Sequence, residues 1–224
     1  MSQNGLLLVN KPVGMSSFDV IRRLRRQTGV RKIGHAGTLD PLASGLMLML
    51  FGTACKQAEK LTKLDKRYEA RVILGANSST GDEEGEKMPV SDRVPELVEI
   101  EAALARLTGE ITQTPSVYSA IKINGKEAYK RARAGETVKM PSRQVSVYEN
   151  RLVRYTYPLL ELDSKLSSGT YIRSLAEDLG KLLGTGGYLG GLNRSEVGNY
   201  SLSEAVELES CTYDFVASKL RLVV

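Results

Sequence analysis

The sequence predicts an α+β chain built around one mixed sheet. Stretches with strand character outnumber helical ones, with about four helices set between them. No internal repeat and no Pro- or Ser-rich linker divides the chain. The 224 residues are 42% hydrophobic, enough for one large domain with a sizeable core, so the expectation is a single domain over 1–224.

Each element has its own reason. Leu6-Leu7-Leu8-Val9 is a short apolar run stopped by Asn10-Lys11-Pro12, a buried strand and its turn. Ser16 or Ser17 caps a helix with Asp19 in its first turn, Val20, Ile21 and Leu24 on one face, and Gly29 at its end. A Gly-rich loop from Gly34 to Gly45 leads into the apolar run 46–51, a central strand. Residues 68–74 alternate as a strand with one more polar face, and 77–90 read as polar loop. An acidic amphipathic helix follows around 95–107. Residues 112–143 form a basic hairpin-and-helix excursion, with a turn at Asn124-Gly125. Strands return at 145–155 and 159–166, and Ser168-Gly169-Thr170 opens a helix whose stripe is Ile172, Leu175, Ala176, Leu179 and Leu183.

Composition excludes several classes. No apolar run reaches the ~18 residues of a membrane span, and the first residues lack the pattern of a secretory signal. Two cysteines, Cys55 and Cys211, make no disulfide framework and point to a reducing cytoplasm. With a single His, a four-ligand Cys/His zinc site cannot be assembled. The glycines at 184–191 break the dinucleotide register at Leu189 and follow a helix, where the fingerprint needs a strand. There is no Walker A sequence and no GxSxG elbow.

The net charge of +5 is unevenly spread: +8 over residues 1–71, −6 over 72–112, +6 over 113–158 and −3 over 159–224. Two basic blocks around an acidic one suggest a surface facing a polyanion. Arg22, Arg23, Arg25, Arg26, Arg31 and Lys32 are clustered near the end of the first helix. Such a cluster serves equally as a solvated helix face.

The stretch His35-Ala36-Gly37-Thr38-Leu39-Asp40-Pro41-Leu42-Ala43-Ser44-Gly45 puts a carboxylate in a Gly-bounded loop before a strand. Asp40 is either a turn or cap residue ahead of proline, or a nucleophile or base held at a sheet edge. Tyr68, beside Lys66 and Arg67, is either a core aromatic or a base-stacking platform. Arg173 opposes the dipole at the start of its helix, which hints at an acidic partner elsewhere.

These residues, with Gly5 to Ser17, Asp65 to Ala70, Pro115 to Ala120 and Ser168 to Arg173, resemble the bacterial tRNA pseudouridine synthase B (TruB) family from Gly5 to about Leu208. The resemblance implies the pseudouridine synthase fold, with a mostly antiparallel mixed sheet flanked by helices. It implies isomerisation of uridine-55 in the T loop of tRNA by base flipping, without metal or cofactor. Asp40 then looks like the catalytic carboxylate and Arg173 like its salt-bridge partner. Tyr68 resembles the residue stacked on the flipped uracil, Tyr171 and Leu192 the pocket walls, and His35 the residue holding the nucleotide out of its loop.

On this resemblance, residues 113–143 form an RNA-clamping thumb and Asp82 falls in an acidic loop near the RNA. Lys11, Arg22, Arg26, Arg31, Lys32, Lys66, Arg67, Lys122, Lys126 and Arg143 are expected to supply further RNA contacts. Two departures stand out. The family's C-terminal RNA-binding (PUA) domain does not follow by Val224, and Asn193 occupies a position where arginine is common. A monomer acting on tRNA in the cytoplasm, without guide RNA, is the expectation. The alternatives are a tRNA-folding chaperone with secondary chemistry, a guide-dependent isomerase and an RNA N-glycosidase.

Overall fold

Residues 3–115, 122–123, 126–128, 131, 136 and 140–223 are described by the structure, a computed structural model. Along the chain run β1 (Gly5–Lys11), α1 (Ser17–Thr28), β2 (Ile33–Ala36), β3 (Ala43–Phe51), α2 (Ala58–Thr62) and β4 (Lys66–Leu74). There follow β5 (Ala76–Ser78), β6 (Lys87–Pro89), α3 (Leu97–Arg106), β7 (Gly109–Gln113), β8 (Lys122–Ile123) and β9 (Lys126–Glu127). The rest comprises β10 (Arg143–Thr156), β11 (Leu159–Leu166), α4 (Ile172–Leu183), β12 (Gly187–Val197), β13 (Tyr200–Ser201), β14 (Val206–Glu207) and α5 (Tyr213–Lys219). Most of the expected thumb lies outside the described residues, as do the side chains of Lys122 and Lys126. The described chain groups into two compact units, residues 1–69 with 192–224, and residues 70–191.

In the first unit the strand order is β14-β1-β3-β12. β1 runs antiparallel to β3, and β12 and β14 make the parallel pairings, so the sheet is mixed as expected. Both faces of β1 and β3 are covered, which explains why residues 46–51 are apolar without alternation. Leu7, Val9, Met47, Met49 and Phe51 pack on Val20, Ile21 and Leu24 of α1. Leu6, Leu8, Leu46, Leu48 and Leu50 pack on the opposite side with Leu61 of α2. α1 begins with a capping box between Ser16 and Asp19 and ends at Gly29, whose φ of 70° needs glycine.

The second unit orders β4-β11-β10-β7, with the described pairings of β10 antiparallel. Its core sets Ala70 and Val72 with Leu162 against Leu104 and Leu107 of the α3 region and against Ile172, Leu175, Ala176 and Leu179 of α4. The expected stripe of α4 is therefore its buried face. Residues 77–90, expected as plain loop, instead carry the β5–β6 hairpin. No helix among the described residues is long and apolar enough to cross a membrane.

Candidate active site

In the first unit the loop between β2 and β3 carries Asp40, and its backbone is fixed from three directions. The Ser17 hydroxyl donates to the Leu39 carbonyl at 3.0 Å and accepts from the Leu39 amide at 2.9 Å. The Gly14 amide donates to the Pro41 carbonyl at 2.8 Å, and the Ala43 amide to the carbonyl of Asp40 itself at 3.1 Å. Arg194 donates from Nη2 to Gly37 O at 3.1 Å, from Nη1 to Thr38 O at 3.4 Å and from Nε to Leu46 O at 2.8 Å. These bonds leave Asp40 half-buried on a loop with little freedom.

Arg194 is 1% exposed and was not among the residues singled out from the sequence. It lies on β12 in register with Gly45 of β3. Gly45 has φ 106°, and a Cβ there would meet Arg194 O at 2.4 Å, so only glycine lets the two strands approach. Nothing in the local sequence separates a buried arginine from a solvated one. Its neighbour Asn193 is engaged as well, donating to Glu69 at 3.0 Å and accepting from Ser44 at 3.2 Å.

Two lysines expected as surface RNA contacts are interior groups. Lys11 is 0% exposed and donates to the Pro12 and Met15 carbonyls at 2.9 and 2.7 Å. Burial pushes its pKa down to about 8, opposed by the Asp40 carboxylate and reinforced by Arg194. Lys66 is buried on the Thr62 and Leu64 carbonyls and is also pushed to about 8, by burial and then by Arg194. Backbone carbonyls folding back over each ammonium replace the phosphates that were expected.

His35, expected in a loop, sits on β2, pairing with Met49 of β3. Burial and then the Arg194 charge hold its pKa below the usual range, so the imidazole is neutral at pH 7. Its Nδ1 is buried without a hydrogen-bond partner among the described residues. Tyr68 and Leu192 are half-buried against the apolar cluster that contains Leu39 and Ala43, with Leu192 in register with Ala43. Arg22, Arg26, Arg31 and Lys32 are exposed, Arg22 pairing with Asp19, and Arg67 is half-buried.

In the second unit Tyr171 is the residue before α4. Gln113 clamps it, accepting from its amide at 2.7 Å and donating to its carbonyl at 3.0 Å. The Arg143 guanidinium lies 4.9 Å over the Tyr171 ring and bonds the Gly169 carbonyl. Arg173 is 6% exposed and pairs with Asp82 at 3.2 Å within its own unit, an acidic partner other than the Asp40 that the resemblance implies. Asp82 itself is 4% exposed and accepts from Thr80 Oγ1 and the Glu84 amide, so it braces the interior of its unit where an RNA contact was expected.

A family model described as "TruB family pseudouridylate synthase (N terminal domain)" matches residues 25–172. A protein of Francisella tularensis subsp. tularensis named tRNA pseudouridine synthase B is 43% identical over 93% of this chain and 70% of its own length. One of the same name from Burkholderia pseudomallei is 45% identical over 92% of this chain and 68% of its own length. Among solved structures, a Cbf5-Nop10-Gar1 complex contains a chain that matches with TM-score 0.73 at 25% identity. That match covers 92% of this chain and 53% of the solved one, so the chain spans about half the length of that neighbour. With the family model matched over most of the chain and relatives at this identity along two thirds or more of their own length, the chain belongs to the TruB family of pseudouridylate synthases.

Proposed function

We propose that the chain isomerises a uridine of tRNA, position 55 in the T loop, to pseudouridine, with Asp40 as the catalytic carboxylate. The observation that carries this reading is the anchoring of the Gly37–Pro41 backbone by Arg194, Ser17 and Gly14 in a member of a pseudouridylate synthase family. The names of the relatives support tRNA as the substrate.

In the reaction the N1–C1′ bond breaks, the uracil turns over and a C5–C1′ bond forms. The C5 proton leaves and N1 takes one up, so no oxidant or reductant is needed. The base must first leave its loop, at a cost of a few kcal/mol. Tyr68 stacks on the extruded uracil, its hydroxyl assisting proton removal, and Tyr171 and Leu192 wall the pocket against water. His35, held neutral, keeps the nucleotide out of its loop by contact and hydrogen bonding. The thumb over residues 113–143 and the exposed cations Arg26, Arg31 and Lys32 hold the RNA backbone. The protein works as a cytoplasmic monomer without guide RNA or cofactor.

The test is tritium release from a tRNA transcript carrying 5-tritiated uridine, with no guide RNA added. Wild type releases tritium and Asp40→Asn does not, although it still binds the transcript. Full turnover by Asp40→Asn would sink the assignment, and free uracil in the mixture would turn the reading to an N-glycosidase. Salt-sensitive binding without release by wild type would favour an RNA-folding role.

A further inference from the structure

We infer that Arg194 is a positioning residue for the reaction: its guanidinium ties the carbonyls of Gly37 and Thr38 to strand β3 and so fixes where Asp40 is presented. This rests on the reading of Asp40 as the catalytic carboxylate.

β2 ends at Ala36 and β3 begins at Ala43, so the six residues between them have no strand ladder to hold them. Ser17 and Gly14 secure the backbone at Leu39 and Pro41, immediately around Asp40. The approach to that point, Gly37 and Thr38, is held by Arg194. A guanidinium presents its donors in one rigid plane, so three bonds to three carbonyls fix their mutual positions in a way a lysine ammonium cannot. Burying that charge is costly, and an apolar side chain of similar volume is often as good for stability alone. A buried arginine whose donors all reach backbone carbonyls on either side of Asp40 in the sequence therefore fits a geometric task. Its field reaches Lys11, Lys66 and His35, and Lys11 also feels Asp40. Lys11 thus reports on where the Asp40 carboxylate is held.

The experiment measures two things on the full chain for wild type, Arg194→Met and Arg194→Lys. The first is kcat and KM for tritium release from tRNA. The second is the Lys11 pKa by NMR, with and without Asp40→Asn, so that the Asp40-dependent part is isolated in each Arg194 background. Because an ångström of misplacement costs on the order of 100-fold in rate, kcat should fall at least tenfold in both variants while KM stays within about twofold. The lowering of the Lys11 pKa by Asp40→Asn should be clear with Arg194 present and shrink without it. An unchanged Lys11–Asp40 coupling together with an unchanged kcat would overturn the proposal. Failure of both variants to fold would also overturn it, making Arg194 a stability residue. A wild type without tritium release whose coupling still depends on Arg194 would remove the catalytic reading of Asp40 and uphold the placement of its loop.

Discussion

Ser17 holds Leu39 by both backbone groups, its single hydroxyl accepting from the amide and donating to the carbonyl within 3.0 Å. The two residues are buried, at 4% and 3% exposure, and Leu39 immediately precedes Asp40. The first turn of α1 is therefore part of the support of the candidate site as well as of the core.

Ser17→Ala should strand a buried amide and a buried carbonyl. Each such group costs about 1–3 kcal/mol when left unsatisfied, so a loss within that range per group is expected in denaturant unfolding. The single-turnover rate should fall more than tRNA affinity does, because the loop is disturbed and the exposed cations are not. Stability equal to wild type would show that the loop finds other partners.

Lys66 makes stability depend on pH in a direction opposite to that of a lysine held by an ion pair. Its folded pKa, about 8, lies below the ordinary value of 10.5, so between these pH values the unfolded chain binds more protons. Stability from this group therefore rises as pH climbs through 8 and levels off above 10.5. Between pH 7 and 9.5 wild type should gain about 2 kcal/mol relative to Lys66→Met, from 1.36 kcal/mol per pKa unit. Unfolding free energies of the two proteins at both pH values check this, and a constant difference between them would refute it.

The Asp82–Arg173 pair predicts a structural phenotype. Removing one partner of a buried ion pair typically costs 3–5 kcal/mol, so Asp82→Ala should lower unfolding free energy by about 3 kcal/mol or more. The salt dependence of tRNA binding by the folded variant should match wild type, since Asp82 is 4% exposed. A changed salt slope with unchanged stability would return Asp82 to the RNA surface.

What the sequence makes legible, and what it hides, follows from the range of the interactions. β1, β3 and α1 are readable because apolar runs, the capping box and Gly29 are local signals. The β5–β6 hairpin escapes because three-residue strands are too short to show alternation. β2 hides inside a Gly-rich stretch, and β12 opens with glycines that resemble a loop. The need of Arg173 for an acidic partner is visible in its helix position, but the identity of Asp82 is not, because the two lie 91 residues apart. Lys11 and Lys66 read as surface cations because nothing local tells whether carbonyls fold back over an ammonium. Asp40 and its supporting glycines are legible as a motif, whereas Arg194, reaching across 156 residues to Thr38, is not.

The exposed cations after α1 make the last prediction. Arg31 and Lys32 are both exposed, beyond the αL cap at Gly29. If they neutralise tRNA phosphates, each removed contact should lower the slope of log K against log salt by about 0.7 to 0.9. Arg31→Ala with Lys32→Ala should therefore flatten the slope by roughly 1.5 and weaken binding of matched and mismatched RNAs alike. Neither residue belongs to the buried set around Asp40, so kcat at saturating tRNA should stay at the wild-type value. Filter binding from low to moderate salt, paired with tritium release at saturation, separates the two effects. A fall in kcat with an unchanged slope would mean that this basic stretch supports the fold of the site, and the phosphate contacts would have to come from elsewhere on the chain.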